Sequence, residues 1–244
     1  MKKLTALILL LLTTACSGIP KAPEGFVMRE AQTEHFAVAV WEKEPLYNKR
    51  TIRFYIEGNG NPRPDKPVAL RLAENDKTPN IVVLSRPCQY INNKLCANQD
   101  LYTVSQYNPE IIKEIEEIVV YYIQKYDAPN VEFVAYDGGA PIAFYMAEKL
   151  GHVKKVVTIA GILDLDAYVN KHNLPAFKDA ENPIKMGSKI ANIPQIHFVG
   201  GKDTETTRGM VERFVSKLHN PKSAVVKVAP NMGHTGWEDL DLSY

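Results

Sequence analysis

Between residues 35 and 229 the apolar positions switch repeatedly between a period of two, unbroken runs and a helical period. Residues 35–41 and 51–56 alternate β-branched or aromatic residues with polar ones, which predicts two strands, antiparallel to each other at one sheet edge. Residues 80–85 form a continuous apolar run of the kind buried on both faces of a sheet. Residues 131–136, 153–160, 195–200 and 223–229 read as further strands. Helical spacing returns between them: 67–76 predicts a short helix and 206–218 an amphipathic one. Asn108 and Pro109 open a longer helix to about residue 124, with Ile111, Ile115, Ile118, Val119 and Tyr122 along one stripe. Strands alternating with helices imply a three-layer α/β fold, a mostly parallel sheet with helices on both faces.

The two ends of this pattern change the picture. Met1-Lys2-Lys3, the apolar run Leu4 to Leu12 and the small residues Thr13-Thr14-Ala15 predict a secretory signal peptide over 1–15, too short in its apolar part to span a bilayer. Cys16 after those residues resembles a bacterial lipobox, which implies a lipidated Cys16, palmitate included, and a membrane anchor. Ser17 follows in place of Asp, and likeness to lipoproteins then favours the outer membrane, facing the periplasm. Residues 16–33, with Gly18, Pro20, Pro23 and Gly25, read as a tether, leaving 34–244 as a single domain. Without Lys2 and Lys3, acidic and basic side chains come within one of each other, so charge gives no reason to expect nucleic acid as a partner. In an exported chain, Cys88 and Cys96 are expected to pair as a disulfide.

Candidate chemistry gathers where strands end, because ligands of such sheets sit beyond the C-terminal strand ends. The run Val134-Ala135-Tyr136-Asp137-Gly138-Gly139-Ala140 passes from strand through a sharp turn into a helix, the shape of a nucleophile elbow with Asp137 at its apex. A second strand end carries Gly200-Gly201-Lys202-Asp203, and a third carries Asn231-Met232-Gly233-His234. Asp164 and Asp166 are lower-ranked alternatives to Asp203 as the acid. The turn Glu57-Gly58-Asn59-Gly60 follows another strand, where Glu57 suits a structural role on loop amides. His35, His152, His197 and His219 read as packing or surface groups, and Trp237 as packing over the last loop. No cluster offers three or four metal ligands at useful spacing, and no cofactor is implied.

Taken together, Tyr55 to Gly60, Arg86-Pro87-Cys88-Gln89-Tyr90, the elbow, Ile159-Ala160-Gly161 and Pro194 to Asp203 resemble the α/β-hydrolases, and more narrowly small bacterial lipoprotein members of that superfamily, over about 53–237. The resemblance implies the α/β-hydrolase fold with a small or absent cap. It makes position 137 the nucleophile, Asp203 the acid and His234 the base, with backbone amides of Gly138 and of Asn59 or Gly60 as the oxyanion hole. The chain departs from the pattern at Ala135, where the first elbow glycine is usual, and at Asp137, where serine is.

Asp137 changes the reaction that is expected. A carboxylate attacking an ester would form an anhydride, which lies uphill, whereas displacement at an alkyl carbon forms an ordinary ester. Haloalkane dehalogenases and epoxide hydrolases, which this scheme resembles, do the latter. Their machinery is not evident here: Gly138 stands where dehalogenases carry Trp, and the cap-like insertion is only 163–193, with Tyr168 and His172. Asp137 acting as a base on water is a further possibility. The expectation is therefore a hydrolase-like enzyme acting on a small-molecule substrate through Asp137, His234 and Asp203. The rival is a non-catalytic lipoprotein that binds a ligand or partner in the same cleft, favoured by two carboxylates flanking His234 and keeping it protonated.

Overall fold

The computed structural model describes residues 18–43, 50–59 and 67–242. The expected leader, Cys16 and Gly60 lie outside the described residues. Among those described, eight strands form one sheet in the order β1-β2-β4-β3-β5-β6-β7-β8. They are β1 (Phe26–Gln32), β2 (Ala37–Lys43), β3 (Thr51–Ile56), β4 (Asn80–Leu84), β5 (Asn130–Tyr136), β6 (Val153–Ile159), β7 (Gln195–Gly200) and β8 (Ala224–Ala229). β2 runs antiparallel to both β1 and β4, and every other pairing is parallel.

Two expectations are corrected. The stretch assigned to a tether contains β1, which places the start of the domain before residue 34. Its four middle residues are only half buried, so it carries no clear period, yet Phe26 and Ala31 are buried and Arg29 pairs with Glu42 of β2. Nor do the strands at 35–41 and 51–56 pair with each other: β4 lies between them, and β3 is an interior strand. Arg53 misleads there, because its charge makes β3 look half-exposed. In the fold Arg53 reaches Glu132 at 2.6 Å and Asp76 at 2.6 Å, so a central strand accommodates it. Ile52, Phe54 and Tyr55 around it are fully buried.

The helices follow the apolar stripes. α1 (Val68–Glu74) precedes β4, and α2 (Pro109–Lys125) begins at Asn108, whose side chain accepts from the Ile111 amide at 2.8 Å. All five apolar positions of the α2 stripe are buried. α3 (Gly139–Leu150) leaves the elbow, α4 (Leu165–His172) lies in the 163–193 insertion, and α5 (Arg208–Lys217) precedes β8. One core packs α2, α3 and α5 against one sheet face, and a second packs α1, Trp41 and Trp237 against the other. Burial on both faces holds the sheet rigid and leaves its C-terminal strand ends to present side chains.

Cys88 and Cys96 form a disulfide with Cα atoms 5.4 Å apart, closing the loop after β4. A cleft of about 550 Å³ lies toward the opposite end of the sheet, lined by Arg53, Asp76, Asp239 and Leu242 and remote from the elbow.

Candidate active site

Asp137 sits between β5 and α3 with φ of 46°, the left-handed backbone that a side chain seldom adopts. Its neighbours hold it there. The Asp137 amide donates to the Ile159 carbonyl at 3.0 Å, and its own carbonyl accepts from Ala140 and Ile162. Gly139 is required by closeness: a Cβ there would lie 2.5 Å from the Ile56 carbonyl oxygen. A Cβ on Gly138 would instead strike the Asn59 side chain. Ala135, near the end of β5, is fully buried.

The two oxygens of the Asp137 carboxylate face different partners. Oδ2 accepts from the Asn59 backbone amide at 2.8 Å, and Oδ1 lies 3.4 Å from Nε2 of His234. The other ring nitrogen, Nδ1, lies 3.1 Å from Oδ2 of Asp203. The structure therefore brings Asp137, His234, Asp203 and Asn59 together, and Gly138 adjoins them at the elbow.

His234 is fixed through its carbonyl, which accepts from Trp237 Nε1 at 2.9 Å and from the Tyr136 hydroxyl at 3.2 Å. Asp203, with no exposed side-chain surface, accepts from the amides of Glu205 and Thr206 and from the Thr206 hydroxyl. Burial alone would raise the Asp203 carboxyl, but the His234 hydrogen bond and charge hold it below its ordinary value. Burial likewise opposes charge on His234, and hydrogen bonds with Asp137 and then Asp203 outweigh it, pushing the imidazole up to about 10. At neutral pH His234 is an imidazolium between two carboxylates.

The alternative acids are engaged elsewhere. Asp164 caps α4 and accepts from Asn182, and Asp166 pairs with the exposed Lys185. Glu57 takes the amides of Gly58 and Ala69, each at 3.0 Å, and burial pushes its carboxyl up to about 7. His197 is a core residue beside Thr158, pushed down to about 3 by burial, while His35 faces Glu114 and His152 the Leu150 carbonyl. From the cap-like segment, Tyr168 reaches the Asn59 side chain and is pushed up to about 12 by burial and the Asp137 charge. His172 turns to Glu205.

Sequence reasoning missed Arg86, Gln106 and Tyr107. All three are buried beneath Asn59 and Gly138, and Arg86 and Tyr107 bond to both. The Arg86-Pro87-Cys88-Gln89-Tyr90 stretch was the available signal for the first.

The eight-stranded order, the elbow after β5 and the groups after β7 and β8 define the α/β-hydrolase fold, and solved structures agree. An esterase from Pyrococcus furiosus superposes with a TM-score of 0.63 at 15% identity, over 86% of this chain and 83% of that one. A proline iminopeptidase-related protein from Thermus thermophilus gives 0.61 at 12% identity, over 88% and 92%. An α/β serine hydrolase without a lid from Xanthomonas campestris gives 0.59 at 10% identity, over 88% of each chain. No family model matches the chain, and no curated protein does.

Proposed function

We propose that this chain is a hydrolase-type enzyme in which Asp137 is the nucleophile toward an alkyl carbon of a small molecule bearing a leaving group. The observation that carries the reading is the division of labour in the Asp137 carboxylate. Oδ2 already occupies the Asn59 amide, where a developing oxyanion would be stabilised, and Oδ1 stands toward His234.

The chemistry balances. The Asp137 carboxylate displaces the leaving group, which departs as an anion, and an alkyl ester forms. Asp137 then no longer carries charge, so His234 loses one of the two carboxylates that keep it protonated. It releases a proton to solvent and becomes a base at the stage that needs one. His234 next takes a proton from water as hydroxide adds to the ester carbonyl, and the negative charge falls on Oδ2 against the Asn59 amide. Collapse expels the alcohol, which His234 protonates, and the proton of the restored carboxyl returns to His234.

Mass spectrometry tests this after incubation with a short alkyl halide and, separately, an epoxide. A covalent adduct on Asp137, and one ¹⁸O atom in its carboxylate after turnover in H₂¹⁸O, are expected. The absence of both signals with both probe classes would overturn Asp137 as the nucleophile. The second reading, a non-catalytic binding cleft, is favoured by the resting imidazolium, since a histidine with its proton held to about 10 is a poor base. The leader and Cys16 support the proposal that the protein is exported and lipid-anchored in a bacterial envelope, facing the periplasm. Labelling with a radioactive fatty acid, abolished in Cys16→Ala, checks that placement.

A further inference from the structure

Arg86 is almost fully buried just after β4. A buried guanidinium is costly to desolvate, and such groups are ordinarily matched by a carboxylate. Here its four Nη contacts all end on uncharged oxygens. Nη1 donates to the Gly138 carbonyl at 3.1 Å and to Oδ1 of Asn59 at 3.3 Å. Nη2 donates to the Gln106 carbonyl at 3.1 Å and to its Oε1 at 3.0 Å. The guanidinium centre stands 5.1 Å from the centroid of the Tyr107 ring. The Tyr107 hydroxyl lies 3.2 Å from Oδ1 of Asn59 and 3.0 Å from the Gly138 carbonyl, and its single proton serves either.

These contacts join Arg86, at the end of β4, to three segments distant from one another in sequence: the turn after β3, the elbow after β5 and the residues just before α2. The planar fork of an arginine has donors in the fixed directions this requires, whereas a lysine ammonium does not. Asn59 is held by its side chain from below while its backbone amide faces Asp137 above.

We propose that Arg86 is the positioning residue of this site, fixing the Asn59 turn against the elbow so that the Asn59 amide meets the Asp137 carboxylate. Naming that amide an oxyanion donor rests on the function proposed above; the positioning itself does not, so it is tested on a proton rather than on turnover. Hydrogen exchange of ¹⁵N-labelled protein follows three amides together. Asn59 N–H reports the site, while Asp137 N–H on the Ile159 carbonyl and Glu57 N–H on the Leu84 carbonyl report the surrounding sheet.

In Arg86→Lys, which keeps the charge and loses the fork, Asn59 exchange is expected to speed up about tenfold while the two sheet amides stay protected. In Arg86→Ala, free guanidinium ion is expected to restore protection and ammonium ion is not. Unchanged Asn59 exchange in Arg86→Lys, or parallel loss at all three amides, overturns the proposal. If neither Arg86 variant folds, Tyr107→Phe decides: a smaller loss confined to Asn59 supports the frame, and no loss overturns it. A missing ¹⁸O signal at Asp137 with this pattern intact would remove the enzyme reading and leave the positioning role standing.

Discussion

Asp137 and His234 face each other across 3.4 Å, and the imidazole touches a second carboxylate, Asp203, on its opposite side. The carboxylate at position 137 thus bears directly on the protonation state of the histidine, because it is the first of the two groups that hold the ring's proton. Asp137→Ser is expected to lower the His234 value substantially from about 10, since the first of the two carboxylates raising it is removed. Titration of the His234 ring protons by NMR measures the change. The same variant is expected to gain hydrolysis of a short activated ester, and His234→Ala in that background to lose it. A silent serine variant with a normally titrating histidine would favour the binding reading.

The same pair makes stability depend on pH. The folded-state value of His234 is raised above the ordinary 6.5, so its contribution is fully present below about 6.5 and is lost as pH rises through about 10. A tenfold gain in proton affinity corresponds to about 1.4 kcal/mol, so the whole effect is on the order of a few kcal/mol for this mostly buried ring. Urea unfolding at a series of pH values should show the wild type losing stability across that window more steeply than His234→Ala. Parallel curves would mean that the imidazolium pair contributes little.

The disulfide closes a short loop between β4 and the residues that bear on Asn59. With cysteines eight positions apart, the chain-entropy cost it removes from the unfolded state is about 2–3 kcal/mol. The double variant Cys88→Ala and Cys96→Ala is expected to lose that much unfolding free energy, read as a lower urea midpoint. It should also loosen Gln106 and Tyr107, which follow the same loop. A stability loss without any change near Asn59 would show that the bridge only staples the chain.

Much of this fold could be read from apolar period alone, since β4 is a continuous buried run, β5, β6 and β7 each end in four buried residues, and α2 is a clean stripe. Two signals failed for physical reasons. β1 is an edge strand whose middle is only half buried, so no period marks it. β3 holds Arg53, whose charge is neutralised by Glu132 and Asp76 from segments that sequence order cannot place beside it. In the site, Asp137, Asp203 and His234 were legible because each follows a strand end in a glycine-rich turn. Arg86 and Tyr107 were not, because what they do depends on oxygens of Asn59 and Gly138 that only the fold brings within reach.

The two adjacent elbow glycines should separate fold from site. A Cβ on Gly139 meets the backbone oxygens of Ile56 and Glu57 at 2.5 and 2.8 Å; Ile56 is the last residue of β3, which sheet pairing holds in place, and Glu57 follows it with its amide on the Leu84 carbonyl. Gly139→Ala therefore forces the elbow away from the sheet and is expected to cost about 1–3 kcal/mol of stability. A Cβ on Gly138 meets the side chain of Asn59 instead, at 1.9 to 2.6 Å. That side chain can swing aside, but doing so breaks its bonds to Arg86 and Tyr107. Gly138→Ala is thus expected to keep most of the unfolding free energy while exposing the Asn59 amide to exchange and shifting the His234 titration. Equal destabilisation by both substitutions, with no selective change at Asn59, would show that the Asn59 side chain is packed as rigidly as the strand beneath it.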